Sequence, residues 1–257
     1  MKITLDEAAK IIGDAQTIIL TSHIRPDGDS IGSTLGLMHY LRAQGKDARV
    51  LIDDDLPRIF KVLPGLEMIE RPAEGVRYTA DLLIVCDVEL KRTGNVVSSV
   101  DAVRVLNIDH HVTNDEEAEY LYLNPDYAAT CEIMHDLIGA MGGTFSLDVA
   151  TCLYTGMATD TGFFRFSNTT PHTMRAAADL IEVGVKPNII SVAMELKSYD
   201  EVMAQVRAIR NLEMFHDGMV AAVFIDEEKA KEVTTTEGLL DKLRVIEGTQ
   251  VVFFMKW

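Results

Sequence analysis

Positive charge is scarce in this chain. Its 257 residues carry 24 Lys and Arg against 40 Asp and Glu, a formal net charge of −16. So acidic a surface argues against a broad electrostatic footprint on duplex DNA. It leaves room for a small nucleotide, because bound metal and a few local arginines hold phosphate in an acidic protein. Cysteine is scarce too. Cys86, Cys131 and Cys152 are an odd number, no C-x-x-C pair occurs, and each lies in an apolar segment. They read as reduced core residues of a cytoplasmic protein, which argues against a disulfide framework. No apolar run approaches the roughly 20 residues of a membrane helix, and Met1–Asp14 has the pattern of a charged amphipathic helix rather than a leader. Internal repeats and low-complexity tracts are absent as well.

What remains is an ordinary globular composition, 47% hydrophobic and 25% charged, long enough for one large or two smaller domains. Thr17–Thr21 is a short β-branched apolar run and reads as a buried strand. Ser30 is placed to cap a helix from Ile31 to about Gln44, closed by Gly45. Further strands are expected at Ala48–Ile52, Asp81–Val85 and Val103–Ile108, and helices at Thr130–Met141 and Leu147–Met157. Thr170 and Pro171 look like the N-cap and first residue of another helix, closed by Gly184. This order of strands with helical connections argues for a parallel α/β sheet. Ser191 to about Glu213 reads as a charged connecting helix. Beyond it come a strand at Met219–Ile225, a helix at Glu237–Leu243 and a strand at Val251–Met255.

Chemistry-bearing residues fall just past the apolar runs. His23, Asp27 and Asp29 follow the first strand, in H-I-R-P-D-G-D-S. Asp87 follows the third, and Asp109-His110-His111 follow the fourth. Asp160, in A-T-D-T-G, has similar surroundings. In open parallel sheets the carboxyl ends of the strands gather at one edge. Carboxylates crowded there cannot all stay ionised without compensation, and divalent metal is the ordinary remedy. An EF-hand starting at Asp27 fails, since Ile31 and Met38 stand where a polar ligand and a glutamate are needed. Carboxylates with imidazoles and no thiolate pair favour Mn²⁺, then Mg²⁺, over structural zinc. Two such ions activating a shared water would make a hydrolase.

The four strings H-I-R-P-D-G-D-S, V-C-D, N-I-D-H-H and A-T-D-T-G, in that order, resemble the DHH phosphoesterase superfamily. The likeness spans residues 17 to about 185. L-K-R-T-G (90–94) and D-T-G-F-F-R-F-S-N-T-T (160–170) resemble its nano-RNase subgroup, oligoribonucleases that also hydrolyse 3′-phosphoadenosine-5′-phosphate (pAp). The resemblance implies an α/β architecture. A parallel-sheet catalytic domain with helices on both faces would span 1–187, a linker helix 188–213, and part of a smaller α/β substrate-binding domain 214–257. It implies that His23 and Asp27 bind one ion, that Asp29, His110 and Asp160 bind another, and that Asp87 bridges both. His111 would face the substrate phosphate, with Asp109 orienting a histidine. Arg92 and Arg165 are candidate phosphate contacts, and Phe163 or Phe164 would stack on a base or sit in the core. Family members carry a glycine-rich G-G-G-H segment late in the second domain. It does not occur here, so the chain reads as truncated relative to the family.

The implied activity is metal-dependent hydrolysis of short oligoribonucleotides or pAp, with no duplex DNA and no membrane as partner. The family's dimerisation through this domain makes a homodimer a further expectation. Three competitors stand beside this reading: a cyclic-dinucleotide or pApA phosphodiesterase, a pyrophosphatase or polyphosphatase, and a silent nucleotide-binding module. His39, His135, His172 and His216 are read as structural, Glu132 as first-turn helix electrostatics, and Asp53–Asp55 as a solvated loop.

Overall fold

The computed structural model describes residues 1–226 and 237–256. The chain divides into two compact units, Met1–Met194 and Glu195–Trp257. The elements of the first run α1 (Leu5–Asp14), β1 (Thr17–Thr21), α2 (Gly28–Ala43), β2 (Asp47–Leu51), β3 (Ile69–Glu70), β4 (Tyr78–Cys86), α3 (Val96–Ser99), β5 (Val100–Asp109), β6 (Tyr120–Leu123), α4 (Thr130–Ala140), α5 (Leu147–Asp160), α6 (Pro171–Val183) and α7 (Pro187–Glu195). The strands form one parallel sheet in the order β3-β2-β1-β4-β5-β6. The chain builds outward from β1 to β3, then returns to the other side of β1 with β4. The order therefore reverses between β1 and β4, and open α/β sheets bind ligands beyond the carboxyl ends of strands at such a switch point. His23 follows β1 and Asp87 follows β4, one on each side of it.

The central strands are apolar on both faces, as parallel sheets require. Ile18, Leu20, Leu82, Ile84, Leu106 and Ile108 face the larger core, which also takes in buried residues of α1, α2, α4, α5 and α6. On the other face Ile19, Leu83 and Val85 join a smaller cluster with Leu51, Val88 and Val96. Helices thus flank both faces unequally: among the described residues the second cluster takes in the one-turn α3 and the 3-10 turn at Leu90–Arg92.

Helix α2 is buried from Gly28 to Met38, because α5 crosses it backbone to backbone. A Cβ on Gly32 would sit 2.5 Å from the Cys152 carbonyl oxygen, and one on Gly156 only 2.2 Å from Cys131 Sγ. This glycine contact lets the start of α2 approach the end of α5. The sequence places two helix boundaries differently. Asp27, not Ser30, caps α2, its carboxylate accepting from the Asp29 and Ser30 N–H groups while Ser30 returns a bond to the Asp27 N–H. Asp29 therefore lies in the first turn of the helix rather than in a loop. Helix α5 runs three residues beyond the expected Met157, so Asp160 is its last residue.

In the second unit α8 (Tyr199–Ile209) leads to β7 (Leu212–Phe215), β8 (Val220–Ile225), α9 (Glu237–Arg244) and β9 (Val251–Lys256). Strand β8 pairs antiparallel with β7 and parallel with β9. Its small core holds Ala208, Ala221, Val223, Ile225, Leu239 and Leu243. The stretch expected as one linker helix, 188–213, is two: α7 stops at Glu195, and Ser198 starts α8 afresh with a capping box to Glu201. Of the stretch 214–257, residues 227–236 and 257 lie outside the described residues. No helix among the described residues is long and apolar enough to cross a membrane.

Candidate metal centre

The carboxyl edge of the sheet brings the sequence-predicted residues together. Three sets of ligand atoms lie close enough to hold an ion: His23, Asp27 and Asp87; Asp29, His110 and Asp160; and Asp87, His110 and His111. Asp87 serves two directions. Its Oδ2 lies 3.6 Å from His23 Nε2, while its Oδ1 lies 3.5 Å from His110 Nε2. His23 Nε2 is also 3.6 Å from Asp27 Oδ2, and His110 Nε2 is 3.5 Å from Asp160 Oδ2 and 3.9 Å from Asp29 Oδ2. Asp87 has φ +66, a left-handed backbone just past the end of β4 that an L-residue adopts at a cost and that clusters at functional sites.

Backbone carbonyls set the imidazole tautomers. His23 Nδ1 donates to the Ile24 carbonyl at 2.9 Å, and His110 Nδ1 to the Tyr127 carbonyl at 3.2 Å. In the neutral rings that leaves both Nε2 atoms with their lone pairs facing the carboxylates, the arrangement of a metal-ligating histidine. His110 Nε2 is buried without a hydrogen-bond partner, and an orphaned buried nitrogen calls for a ligand.

The electrostatics are frustrated without a cation. Burial, then the Asp87 and Asp160 charges, push the Asp29 carboxyl well above the ordinary carboxylate range. Burial, then the Asp87 and Asp27 charges, raise Asp160 to about 7. For Asp87 burial works in the same direction, but His110 and His23 outweigh it and hold the carboxyl below its usual value. Burial would lower His23 and His110, yet neighbouring carboxylates drive each to about 10. Raised carboxyls beside raised imidazoles are the pattern expected of groups arranged to hold a divalent cation.

Several of the candidate ligands have a second attachment. Asp27 caps its own helix through Oδ1 and keeps Oδ2 beside His23. Asp29 caps a different helix. The N-cap of α4 is Ala129, whose side chain offers no hydrogen bond, and Asp29 accepts from the Thr130 and Cys131 N–H groups at 2.6 and 2.8 Å instead. A carboxylate at a helix N-terminus is favoured by the helix dipole. Thr130 Oγ1 donates to Asp87 Oδ1 at 3.0 Å.

Asp109 stands behind the candidate ligands. Its Oδ1 accepts from the His110 and His111 N–H groups and lies 2.8 Å from His111 Nδ1, while Asn114 Nδ2 holds its Oδ2 at 2.6 Å. Asn114 is bonded in turn to Asn107, which donates to the Val85 and Val88 carbonyls. Sequence reasoning missed both asparagines, and only the N-I-D-H-H string brings one of them near the site. The histidine that Asp109 orients is His111, whose side chain stays 46% exposed. The Asp109 hydrogen bond, against burial, raises its pKa.

Arg92 and Arg165 stand outside these groups. The Arg92 carbonyl accepts from the Ile24 N–H, tying its loop to that of His23, while its guanidinium is exposed 4.0 Å from Glu89. Arg165 Nε bonds the Gly162 carbonyl. Phe163 and Phe164 pack against the core, the latter 5.7 Å from the Tyr154 ring, whereas Phe166 is 47% exposed. His39 bonds the Pro64 carbonyl, and His216 sits in the left-handed β7–β8 turn.

Comparison with known proteins gives the family and the fold. The N-terminal domain of the DHH family matches residues 17–157. The bifunctional oligoribonuclease and PAP phosphatase NrnA of Thermus thermophilus is 34% identical over 93% of this chain and 72% of its own length. The protein of the same name from Bacillus subtilis is 25% identical over 97% of this chain and 81% of its own. Among solved structures, an exopolyphosphatase-related protein from Bacteroides fragilis superposes with a TM-score of 0.88 at 26% identity, covering 98% of this chain and 79% of the other.

Proposed function

This chain belongs to the DHH family, and from that premise we propose that it is a metal-dependent phosphoesterase hydrolysing short oligoribonucleotides and pAp. The family and the names of its relatives support hydrolysis of these phosphoesters. The observation that carries the site assignment is the division of Asp87 between two ligand sets, one carboxylate oxygen toward His23 and the other toward His110. His23 and Asp27 would hold one divalent ion, Asp29, His110 and Asp160 a second, and Asp87 would touch both. The donor set of carboxylates and imidazoles suits Mn²⁺ best and Mg²⁺ next. When bound, such a pair of ions supplies a deprotonated water at neutral pH and neutralises charge on the phosphoryl oxygens.

The chain's own groups do the rest. Asp109 fixes the ring of His111 through Nδ1 and favours its imidazolium form, whose Nε2–H would donate to a phosphoryl oxygen as negative charge grows there. Asn114 and Asn107 keep Asp109 from turning. Arg92 and Arg165 contribute to holding the substrate outside the two ligand sets.

The test measures Mn²⁺-dependent release of mononucleotide from pApA, beside phosphate release from pAp and from pyrophosphate. Asp87→Asn is the control, because Asn tolerates the left-handed backbone at this position. Cleavage of pApA or pAp that vanishes in the variant is expected. Cleavage of pyrophosphate alone would move the chain to the pyrophosphatase reading, and no cleavage by a chain that binds the metal would make it a silent binder.

A further inference from the structure

The turn from Tyr127 to Thr130, between β6 and α4, touches three of the candidate ligands and is linked to a fourth through Asn168. The Tyr127 carbonyl accepts from His110 Nδ1, the Thr130 N–H donates to Asp29, and Thr130 Oγ1 donates to Asp87. Asn168 Nδ2 donates to the Ala128 carbonyl at 3.2 Å and to the Asp160 carbonyl at 3.1 Å, tying in the fourth. Yet the middle of the turn is Ala128-Ala129, with no polar side chain of its own to fix its shape.

Glu132 supplies what the alanines lack. Its Oε2 accepts from the Ala128 N–H at 2.7 Å, and its Oε1 lies 2.8 Å from His172 Nδ1. His172, at the start of α6, sets its Nε2 3.0 Å from Asp136 Oδ2. The same Asp136 oxygen accepts from the Tyr127 hydroxyl at 2.7 Å, and the Tyr127 and His172 rings meet edge to face. Tyr127 and Ala128 are thus gripped by two acidic side chains of α4, with His172 of α6 joining those side chains from outside.

The helix-dipole reading of Glu132 is too weak for its position. A carboxylate in a first turn gains its helix-dipole interaction at the surface and needs no burial for it. Glu132 is 1% exposed, and desolvating a carboxylate costs more than the dipole returns. Its burial is explained by the bonds it makes to the turn.

We infer that Glu132, braced by His172 and Asp136, is a positioning residue that sets the Tyr127–Thr130 turn and, through it, the geometry of the metal centre. The inference rests on the proposed reading of that centre as metal-binding. Residues behind metal ligands change metal affinity about 10–100-fold when removed.

Isothermal titration of the full chain with Mn²⁺ tests it, alongside thermal unfolding of the metal-free protein. Glu132→Ala is expected to weaken Mn²⁺ binding by about 10–100-fold. Glu132→Gln is expected to stay near wild type, because its amide oxygen still accepts from Ala128 and its NH₂ donates to His172 Nδ1. His172→Ala is expected to fall between them. A Glu132→Ala variant that melts earlier but binds Mn²⁺ like wild type would show a merely structural role and overturn the inference. Should Glu132→Ala not fold, His172→Ala decides, since that side chain is 49% exposed and its removal is tolerable; unchanged Mn²⁺ affinity there overturns the inference too. A wild-type chain that binds no Mn²⁺ defeats the reading of the centre itself, and the brace falls with it.

Discussion

The two proposed ligand sets differ in how they are built. His23 and Asp27 are neighbours in sequence, one past the end of β1 and the other capping α2, and the Asp27 side chain is 55% exposed. Asp29, His110 and Asp160 come from the start of one helix, the end of a strand and the end of another helix, and Asp29 is fully buried. The first set is a feature of one turn. The second exists only when α2, α4, α5 and β5 are packed together. It is also where burial pushes two carboxyls upward, Asp160 to about 7. The local set needs one bent turn, with Arg25 at φ +57, whereas the long-range set needs several packed elements and brings two raised carboxyls together.

Asp87 is the term common to both sets, so removing it should erase the comparison. Asp87→Asn is expected to lower turnover by at least about 10³-fold, because losing several kcal/mol of Lewis-acid stabilisation costs that much in rate. Circular dichroism should show the fold retained. Turnover near wild type in a folded variant would remove the basis for treating the sets as one centre.

The buried set can be struck alone at Gly156. A Cβ there would sit 2.2 Å from Cys131 Sγ and 2.8 Å from Asp29 Oδ1. Gly156→Ala gains up to about 1 kcal/mol in helix propensity. Overpacking costs about 1–3 kcal/mol, and Asp29 must move. A lower Tm and weaker Mn²⁺ binding are expected together, read by thermal unfolding and titration. A variant as stable as wild type with the same affinity would mean that the α2–α5 approach does not fix the buried set.

The same contrast explains what could be read from the sequence. The strand-end strings placed His23, Asp87 and Asp109–His111 at one edge because each follows an apolar run, and that logic needs only local pattern. The short strands β3 and β6 escaped it. Two and four residues give no periodicity, and Tyr120–Leu123 becomes a strand by pairing with β5. The capping of α4 by Asp29 joins residues about a hundred apart, and the string D-G-D does not announce it. Glu132 looked like an ordinary first-turn acid because burial is a tertiary property. Ser30 reads as the cap of α2 because it directly precedes the apolar helical run, whereas Asp27, three residues earlier, both caps the helix and faces His23.

Proton competition acts on both sets, and more gently. The Asp160 carboxyl is raised to about 7, above its unfolded value near 4. In the metal-free protein its contribution to stability is therefore full below pH 4 and is lost as pH rises through 7. Metal needs that carboxylate ionised, and His23 and His110, raised to about 10, must also release protons. Each proton displaced makes affinity rise about tenfold per pH unit. The Mn²⁺-induced gain in Tm is expected to be larger at pH 8 than at pH 6, and a gain independent of pH would place the bound metal away from Asp160 and the two imidazoles.

The smallest effect on stability is expected at the exposed set, where Asp27 does two jobs that one substitution can separate. Its Oδ1 caps α2 and its Oδ2 faces His23. Asp27→Ser keeps a capping oxygen but withdraws the carboxylate, so the metal-free Tm should stay close to wild type while Mn²⁺ binds more weakly. Asp27→Ala loses the cap as well, which costs about 1 kcal/mol, roughly 2–4 °C for a chain of this size. Both variants open a gap that water can enter from outside, so their loss of metal affinity should be smaller than that of a variant disturbing Asp29. Equal Tm values for the Ser and Ala variants would show that the cap contributes nothing. An affinity loss larger than that of Gly156→Ala would invert the comparison, making the exposed set the tighter of the two.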